Sequence, residues 1–143
     1  MKREIHYLNT DLDLVAPFDL GPLAQAISAR GAFTLQVSAR DDASWCATIE
    51  ADADFQSPEP TIVALLAAIE ELDAEARRSW AACTHREFNI GYDCGDEPWA
   101  FTNEMSSATI SRMAALNVSL RITLYPAESP QANQPEPTPD AET

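Results

Sequence analysis

Hydrophobic and polar residues follow each other along the chain in patterns that predict five strands and three helices. Four short segments alternate between apolar and polar residues, which is typical of strands with one buried face. These segments are residues 33–37, 45–49, 88–92 and 120–124. Residues 4–15 also look extended, but their apolar positions change parity near Asn9. That change predicts a bulge or two short strands.

Apolar stripes with helical spacing predict helices between these strands. The first helix should begin after Asp19, a good N-cap, and end at Gly31, which is free to adopt a left-handed conformation. The second should begin after Ser57 and reach Trp80, with Asp73 as a point where it can break. A third, capped by Ser106 or Ser107, should end near Asn117.

The same pattern predicts which side chains are buried and which are open. We expect the core to include Phe33, Leu35, Val37, Ile62, Leu65, Ile69, Phe88, Ile90, Tyr92, Ile110, Met113, Ala114, Leu120, Ile122 and Leu124. The opposite face of the sheet should carry Thr34, Gln36, Thr48, Glu50, Asn89, Asp93, Arg121 and Thr123. Strands with one apolar face indicate helices on one face of the sheet, with the other face open to water or a partner.

The order of the predicted elements, β-α-β-β-α-β-α-β, indicates an α+β domain. Its first six elements match a ferredoxin-like split βαβ core, extended here by one helix and one strand. A shift of 87 residues superimposes the two strand–helix–strand units, so that Asp19 meets Ser106 and Leu23 meets Ile110. Each unit should be a right-handed crossover. Duplication of one ancestral unit is a hypothesis, because any two such units would align similarly.

The chain has 143 residues, a length that suits a single domain, which we place at residues 1–125. The remainder, residues 126–143, is acidic and rich in proline, and we expect it to be disordered. No stretch reaches the roughly 18 apolar residues of a membrane helix. The N-terminus lacks the apolar run of a secretory signal, and the three cysteines form no CxxC pair. These features predict a cytoplasmic protein that is not membrane-bound.

The charge of the chain is strongly acidic, with a formal net charge of -14. Residues 41–75 contain ten acidic residues and no lysine or arginine. Such a field repels phosphate backbones, so nucleic-acid binding is disfavoured. It would attract a basic partner protein, although high net charge also serves solubility alone.

Catalytic and metal-binding patterns are weak. Cys83, His85, Cys94 and His6 lack the spacing of a zinc site, and the carboxylates of residues 93–97 do not follow the EF-hand register. His85 lies a whole strand away from Cys94, so it cannot activate that thiol. We therefore predict no catalytic residue, no metal and no cofactor, and consider an enzyme less favoured than a binding protein.

Residues 93–102 form the loop best suited to contact a partner. Aromatic side chains ringed by carboxylates can anchor on a basic surface. The alternative is that the two rings fold back over the edge of the core. The predicted partner-binding residues are Asp93, Asp96, Glu97, Trp99 and Phe101, together with Glu70 and Glu71 on the second helix.

The segments Phe88-Asn-Ile-Gly-Tyr92, Ala114-Ala-Leu-Asn117 and Leu120-Arg-Ile-Thr-Leu-Tyr125 resemble those of small acidic bacterial α+β domains of unknown function, some of them similar to immunity proteins. The resemblance implies a non-enzymatic, cytosolic inhibitor that masks a basic partner protein. Two alternatives stay open. One is a small-molecule-binding or enzymatic domain with a pocket beside residues 93–102. The other is a homo-oligomeric module joined through the open face of the sheet; the sequence leaves the oligomeric state undetermined.

Overall fold

The computed structural model describes residues 3–126, so the predicted disordered tail lies outside the described residues except for Pro126. The fold is α+β, with a five-stranded mixed sheet and four helices in the described part of the chain. The elements are β1 (His6–Ala16), α1 (Gly21–Ser28), β2 (Ala32–Ala39), β3 (Trp45–Ala51), α2 (Pro58–Glu70), α3 (Ala74–Ala82), β4 (His85–Asp93), α4 (Ser107–Ala115) and β5 (Ser119–Tyr125).

The strands are arranged in the order β2-β3-β1-β4-β5. Strand β1 lies at the centre and pairs antiparallel with both β3 and β4, while β5 pairs parallel with β4. The register of β1 and β4 shifts between Tyr7 and Asn9, which confirms the bulge predicted from the change of parity. A bulge of this kind lets Tyr7 and Leu12 both serve the core side although their positions differ in parity.

The helix starts agree only in part with the sequence. The N-cap of α1 is Leu20, not the predicted Asp19, although Asp19 accepts the N–H of Gly21 at 2.8 Å just before the helix. Asp73 is the N-cap of α3 and accepts the N–H of Ala76 at 2.9 Å. Asp73 therefore begins a separate helix, α3, at the predicted break. Gly31 has a φ of 101°, in the left-handed region where a Cβ is disfavoured.

The core lies along one face of the central strands. Leu12, Leu14, Ile49, Phe88 and Ile90 are all buried and alternate with polar residues along their strands. Helices α1 and α2 contribute the facing apolar side chains: Leu20, Leu23, Ile27, Ile62, Leu65, Leu66 and Ile69. This packing fixes which face of β1, β3 and β4 is buried, and with it which side chains point the other way.

The predicted burial of β2 is partly wrong. Phe33 and Leu35 are exposed, because the register with β3 shifts between Thr34 and Gln36. The shift places Phe33 opposite the polar Glu50, while Thr34 turns to the buried side and hydrogen-bonds Ser28 at 2.7 Å. A bulge thus reverses the faces that simple alternation had assigned.

The predicted burial of the last helix and strand is also partly wrong. Ile110 and Ala114 are exposed on α4, where Met113 is buried as predicted together with Thr109. On β5 the apolar residues Leu120, Ile122 and Leu124 are exposed. They lie beside Phe88, Ile90 and Tyr92 in the register, but α4 packs chiefly against α2 and leaves this edge uncovered.

Candidate binding face

Carboxylates from three neighbouring strands lie together on the face of the sheet opposite the core. In the register Asp11 lies opposite Glu50 of β3, and Asp13 lies opposite Glu87 of β4. We call this surface the polar face; it comprises Asn9, Asp11, Asp13, Thr48, Glu50, Glu87, Asn89, Arg121 and Thr123. Arg121 is the only lysine or arginine among these nine residues.

Asp11 and Glu50 form a pair of like charges. The amide of Asn9 donates to Oδ1 of Asp11 at 3.2 Å and to Oε2 of Glu50 at 3.3 Å, and so bridges the two carboxylates. Partial burial, a hydrogen bond with Glu50 and the charges of Glu50 and Asp13 raise the pKa of Asp11 to about 7. At pH 7 the Asp11 carboxyl is therefore protonated in about half of the molecules.

The second row of the polar face is held by hydrogen bonds and one cation. Burial raises the pKa of Asp13, against a hydrogen bond that Thr48 donates to it at 3.2 Å. Glu87 is buried, which opposes its ionisation, but hydrogen bonds from Arg121 and His85 outweigh that cost and lower its pKa. The Arg121 Nε to Glu87 Oε1 distance is 2.8 Å. Glu87 thus forms an ion pair with Arg121, whereas Asp11, Asp13 and Glu50 form none within residues 3–126. The charges of His85 and Arg121 nevertheless act on Asp13 and offset part of the rise in its pKa.

A cleft of about 320 Å³ adjoins the polar face at the end of β3. We call it the acidic cleft; its walls include Tyr7, Asn9, Phe33, Glu50, Asp52, Asp54 and Phe55. The Tyr7 hydroxyl lies 2.6 Å from Thr10 Oγ1 and donates to Thr61 at 3.0 Å, and burial raises the pKa of this phenol so that it stays neutral. Aromatic rings beside carboxylates suit an ammonium or guanidinium group.

The predicted binding loop, residues 93–102, lies beside the N-terminal segment. The backbone carbonyl of Glu97 accepts the Ile5 N–H at 2.7 Å. A Cβ at Gly95 would come within 2.5 Å of the Arg3 carbonyl oxygen, so only glycine allows this close approach. Asp96 and Glu97 are exposed, and Asp93 is half-buried, 3.6 Å from His6.

The two aromatic residues of the loop behave differently. Trp99 is 98% exposed and does not fold back over the core, contrary to the alternative that the sequence left open. Phe101 does pack, with its ring 5.8 Å from that of Tyr92 in an edge-to-face arrangement. The loop therefore projects one large aromatic side chain into solvent and anchors itself with the other.

Glu70 and Glu71 do not join the loop. Glu70 accepts two hydrogen bonds from Arg112, at 2.8 and 2.9 Å, which lower its pKa. The loop leads to the other end of α2, where Glu59 accepts hydrogen bonds from Ser106. Eleven residues of helix at about 1.5 Å each separate Glu59 from Glu70 by roughly 16 Å. The structure thus separates these two residues from the rest of the predicted set.

Several chemical possibilities find no geometric support. Among residues 3–126, no group of three or more His, Cys, Asp or Glu side chains could hold a metal ion. Burial raises the pKa of the Cys83 thiol to about 11, against its activation as a nucleophile. Within the same residues, no helix is long and apolar enough to span a membrane.

Sequence reasoning assigned Thr48, Glu50, Asn89, Arg121 and Thr123 to the open face but missed two of its carboxylates, Asp11 and Asp13. Asp11 and Asp13 alternate with Leu12 and Leu14, so a strand-parity argument applied to β1 would have found them. In comparisons with known proteins, the chain matches no protein-family profile, no curated protein and no solved structure.

Proposed function

We propose that this protein is a non-enzymatic binding domain that holds a basic partner protein against its polar face and acidic cleft. The observation that carries the proposal is the cluster formed by Asp11, Asp13 and Glu50, three carboxylates that form no ion pair within residues 3–126. Like charges placed directly opposite each other across strands destabilise a sheet. Lysine or arginine side chains of a partner would relieve that repulsion and supply binding free energy.

The acidic cleft continues the polar face and adds carboxylates that basic side chains of the same partner would contact. Glu50 belongs both to the polar face and to the cleft, so the two surfaces are continuous. Asp52 and Asp54 add two carboxylates there, and all three belong to the acidic stretch of residues 41–75. A guanidinium or ammonium group entering the cleft would meet carboxylates and the faces or edges of aromatic rings.

The proposal also covers the topology of the sheet, the role as an inhibitor and the contact made by the loop of residues 93–102. The β2-β3-β1-β4 order with antiparallel pairing supports a ferredoxin-like split βαβ core, in which helices on one side leave the other face free. The resemblance to immunity proteins supports a cytoplasmic inhibitor that masks a basic site by steering and occlusion. The loop of residues 93–102, with Trp99 exposed, would supply a second contact.

A hexa-arginine peptide provides a defined probe of the polar face. We expect the wild-type protein to bind it at low salt, and Asp11→Asn combined with Glu50→Gln to weaken binding at least tenfold. The matched control is Glu75→Gln combined with Glu104→Gln, which removes the same formal charge from exposed positions outside the polar face and outside residues 93–102. Equal loss of affinity in both double variants would show that only the overall charge matters and would contradict the proposed face.

A second candidate function is the binding of a small cationic molecule in the acidic cleft. The cleft volume of about 320 Å³ falls in the range of small-ligand sites. None of its lining residues belongs to residues 93–102, so this cleft is distinct from the pocket that the sequence suggested beside that loop. Stabilisation by spermidine in a thermal-shift assay, lost in Asp54→Asn, would favour this function over partner binding.

Self-association through the polar face is the least favoured alternative. Two copies meeting there would bring Asp11, Asp13 and Glu50 of each against the same residues of the other, and like charges in a contact disfavour it. Addition of salt would have to strengthen such a dimer, which is the opposite of its effect on a complex with a basic partner.

A further inference from the structure

We propose that the protein forms a reversible two-fold dimer in which β5 pairs antiparallel with β5 of a second copy. This inference rests on the outer edge of the sheet and is independent of the polar face. Within residues 3–126, β5 pairs only with β4, so its other side presents unpaired backbone groups. Its register with β4 runs without a break from the Glu87–Ser119 pair to the Asp93–Tyr125 pair. The edge is therefore regular over seven residues.

The two edges of the sheet differ in a way that points to β5 as the one that is used. At the opposite edge, the β2 register is broken between Thr34 and Gln36. Natural proteins protect free edges with bulges, prolines, lysines or inward-facing charges. The segment Ser119–Tyr125 contains no bulge, no proline and no lysine. Its one charged residue, Arg121, donates a hydrogen bond to Glu87 of β4.

The side chains of this edge are apolar where a monomer would be expected to be polar. Leu120, Ile122 and Leu124 are 45%, 58% and 64% exposed. They form a row on one side of the strand, and Leu124 lies beside Tyr92, whose ring contacts Phe101. A contiguous exposed apolar surface of this kind marks an interaction site.

A second copy of the chain is the occupant that the edge fits. Antiparallel pairing centred on Ile122 sets Leu120 opposite Leu124 of the other copy and Arg121 opposite Thr123, so the strand complements itself, as a two-fold interface requires. No acidic residue occurs between Ser119 and Tyr125, although the whole chain carries a net charge of -14. Two acidic copies therefore approach with less repulsion here than at the polar face.

The size of the contact predicts its strength. Seven strand residues from each copy are fewer than the roughly 20–30 residues a side of a standard interface. The dimer should therefore dissociate on dilution rather than be permanent. Pairing at β5 would join the sheets of the two copies edge to edge. Residues paired across two strands point to the same side of the sheet, so the polar faces of both copies would lie on the same side of the joined sheet. A basic partner would then meet a bivalent acidic surface.

Light scattering of the full chain over a dilution series tests the proposal. We expect the weight-average mass to rise from 15.6 kDa towards twice that value with concentration. Ile122→Lys should stay monomeric with an unchanged melting temperature, because it places two like charges opposite each other at an exposed position. Ile110→Lys is the matched control, since Ile110 is 52% exposed on α4, and it should dimerise normally. A monomeric wild type, or dimerisation of Ile122→Lys, would overturn the inference.

Cysteine cross-linking tests the register, in a background where Cys46 and Cys94 are serine. Ile122→Cys should form a disulfide-linked dimer by itself, because cross-strand Cα distances of about 4.5–5.5 Å permit a disulfide. Leu120→Cys should cross-link only when mixed with Leu124→Cys, because position 120 of one copy lies opposite position 124 of the other. The two positions 120 are four residues apart along the paired strands, about 13 Å. Equal cross-linking of Leu120→Cys alone would exclude this pairing.

Discussion

Replacing Asp11 by asparagine should stabilise the protein at alkaline pH. The pKa of Asp11 is raised from 3.8 to about 7 by partial burial and by Glu50. The folded protein therefore binds a proton more tightly than the unfolded chain does. Stability from this group is greatest below pH 3.8 and falls as the pH rises towards 7. Asparagine keeps the shape of the side chain and never ionises.

The size of the effect follows from the shift and from the exposure of the side chain. Raising a pKa from 3.8 to about 7 corresponds to roughly 4 kcal/mol for a fully buried group. Asp11 is only partly buried, so water screens the interaction, and we expect about 1–2 kcal/mol. Asp11→Asn should exceed the wild type in the free energy of unfolding by that amount at pH 8 and by almost nothing at pH 4.

Urea denaturation at the two pH values measures the difference. Asp96→Asn is the control, because it removes the same formal charge from an exposed position. It corrects for the general repulsion within a chain of net charge -14. The reasoning would be refuted if the two variants gained equally at pH 8, or if the gain of Asp11→Asn were undiminished at pH 4.

Three further predictions concern the core and the N-terminal segment. Trp80→Phe should lower the free energy of unfolding by about 1–3 kcal/mol in urea denaturation, because the indole donates to the Leu116 carbonyl at 3.0 Å and its loss leaves that buried acceptor unpaired. Cys83, with a pKa near 11, should react with a thiol reagent at pH 8 much more slowly than the other two cysteines, and equal rates for all three would contradict its burial. Gly95→Ala should displace the segment around Arg3 and speed hydrogen exchange at Ile5, and unchanged exchange would show that the segment tolerates a Cβ.

The central strands were predictable because the apolar residues of their alternating pattern are the ones that are buried. Leu12, Ile49, Phe88 and Ile90 are buried as alternation requires, and the bulge near Asn9 is visible in the sequence as a change of parity. The edges were not predictable in the same way. Alternation shows which side of a strand a residue faces, but only tertiary packing decides whether that side is covered. Ile122 faces the core side and stays exposed because α4 packs against α2.

The candidate site was predictable only in part, because charge in the sequence does not reveal pairing in space. Glu70 looked like a free carboxylate, yet it is engaged by Arg112, 42 residues further along the chain. Asp11 looked ordinary in an extended segment, yet strand pairing sets it directly opposite Glu50. Contacts between elements that are distant in the sequence create both the paired and the repelling carboxylates, and no local pattern encodes them.

The most direct test of the proposed function is calorimetry of hexa-arginine peptide binding at pH 7 in two buffers of different ionisation enthalpy. A cation bound beside Asp11 would lower its pKa from about 7, so binding should release up to about half a proton per site. The release should vanish in the Asp11→Asn and Glu50→Gln double variant, because asparagine at position 11 has no carboxyl proton to release. Binding to the wild type without any proton release would contradict the account, because it would place the partner away from the polar face.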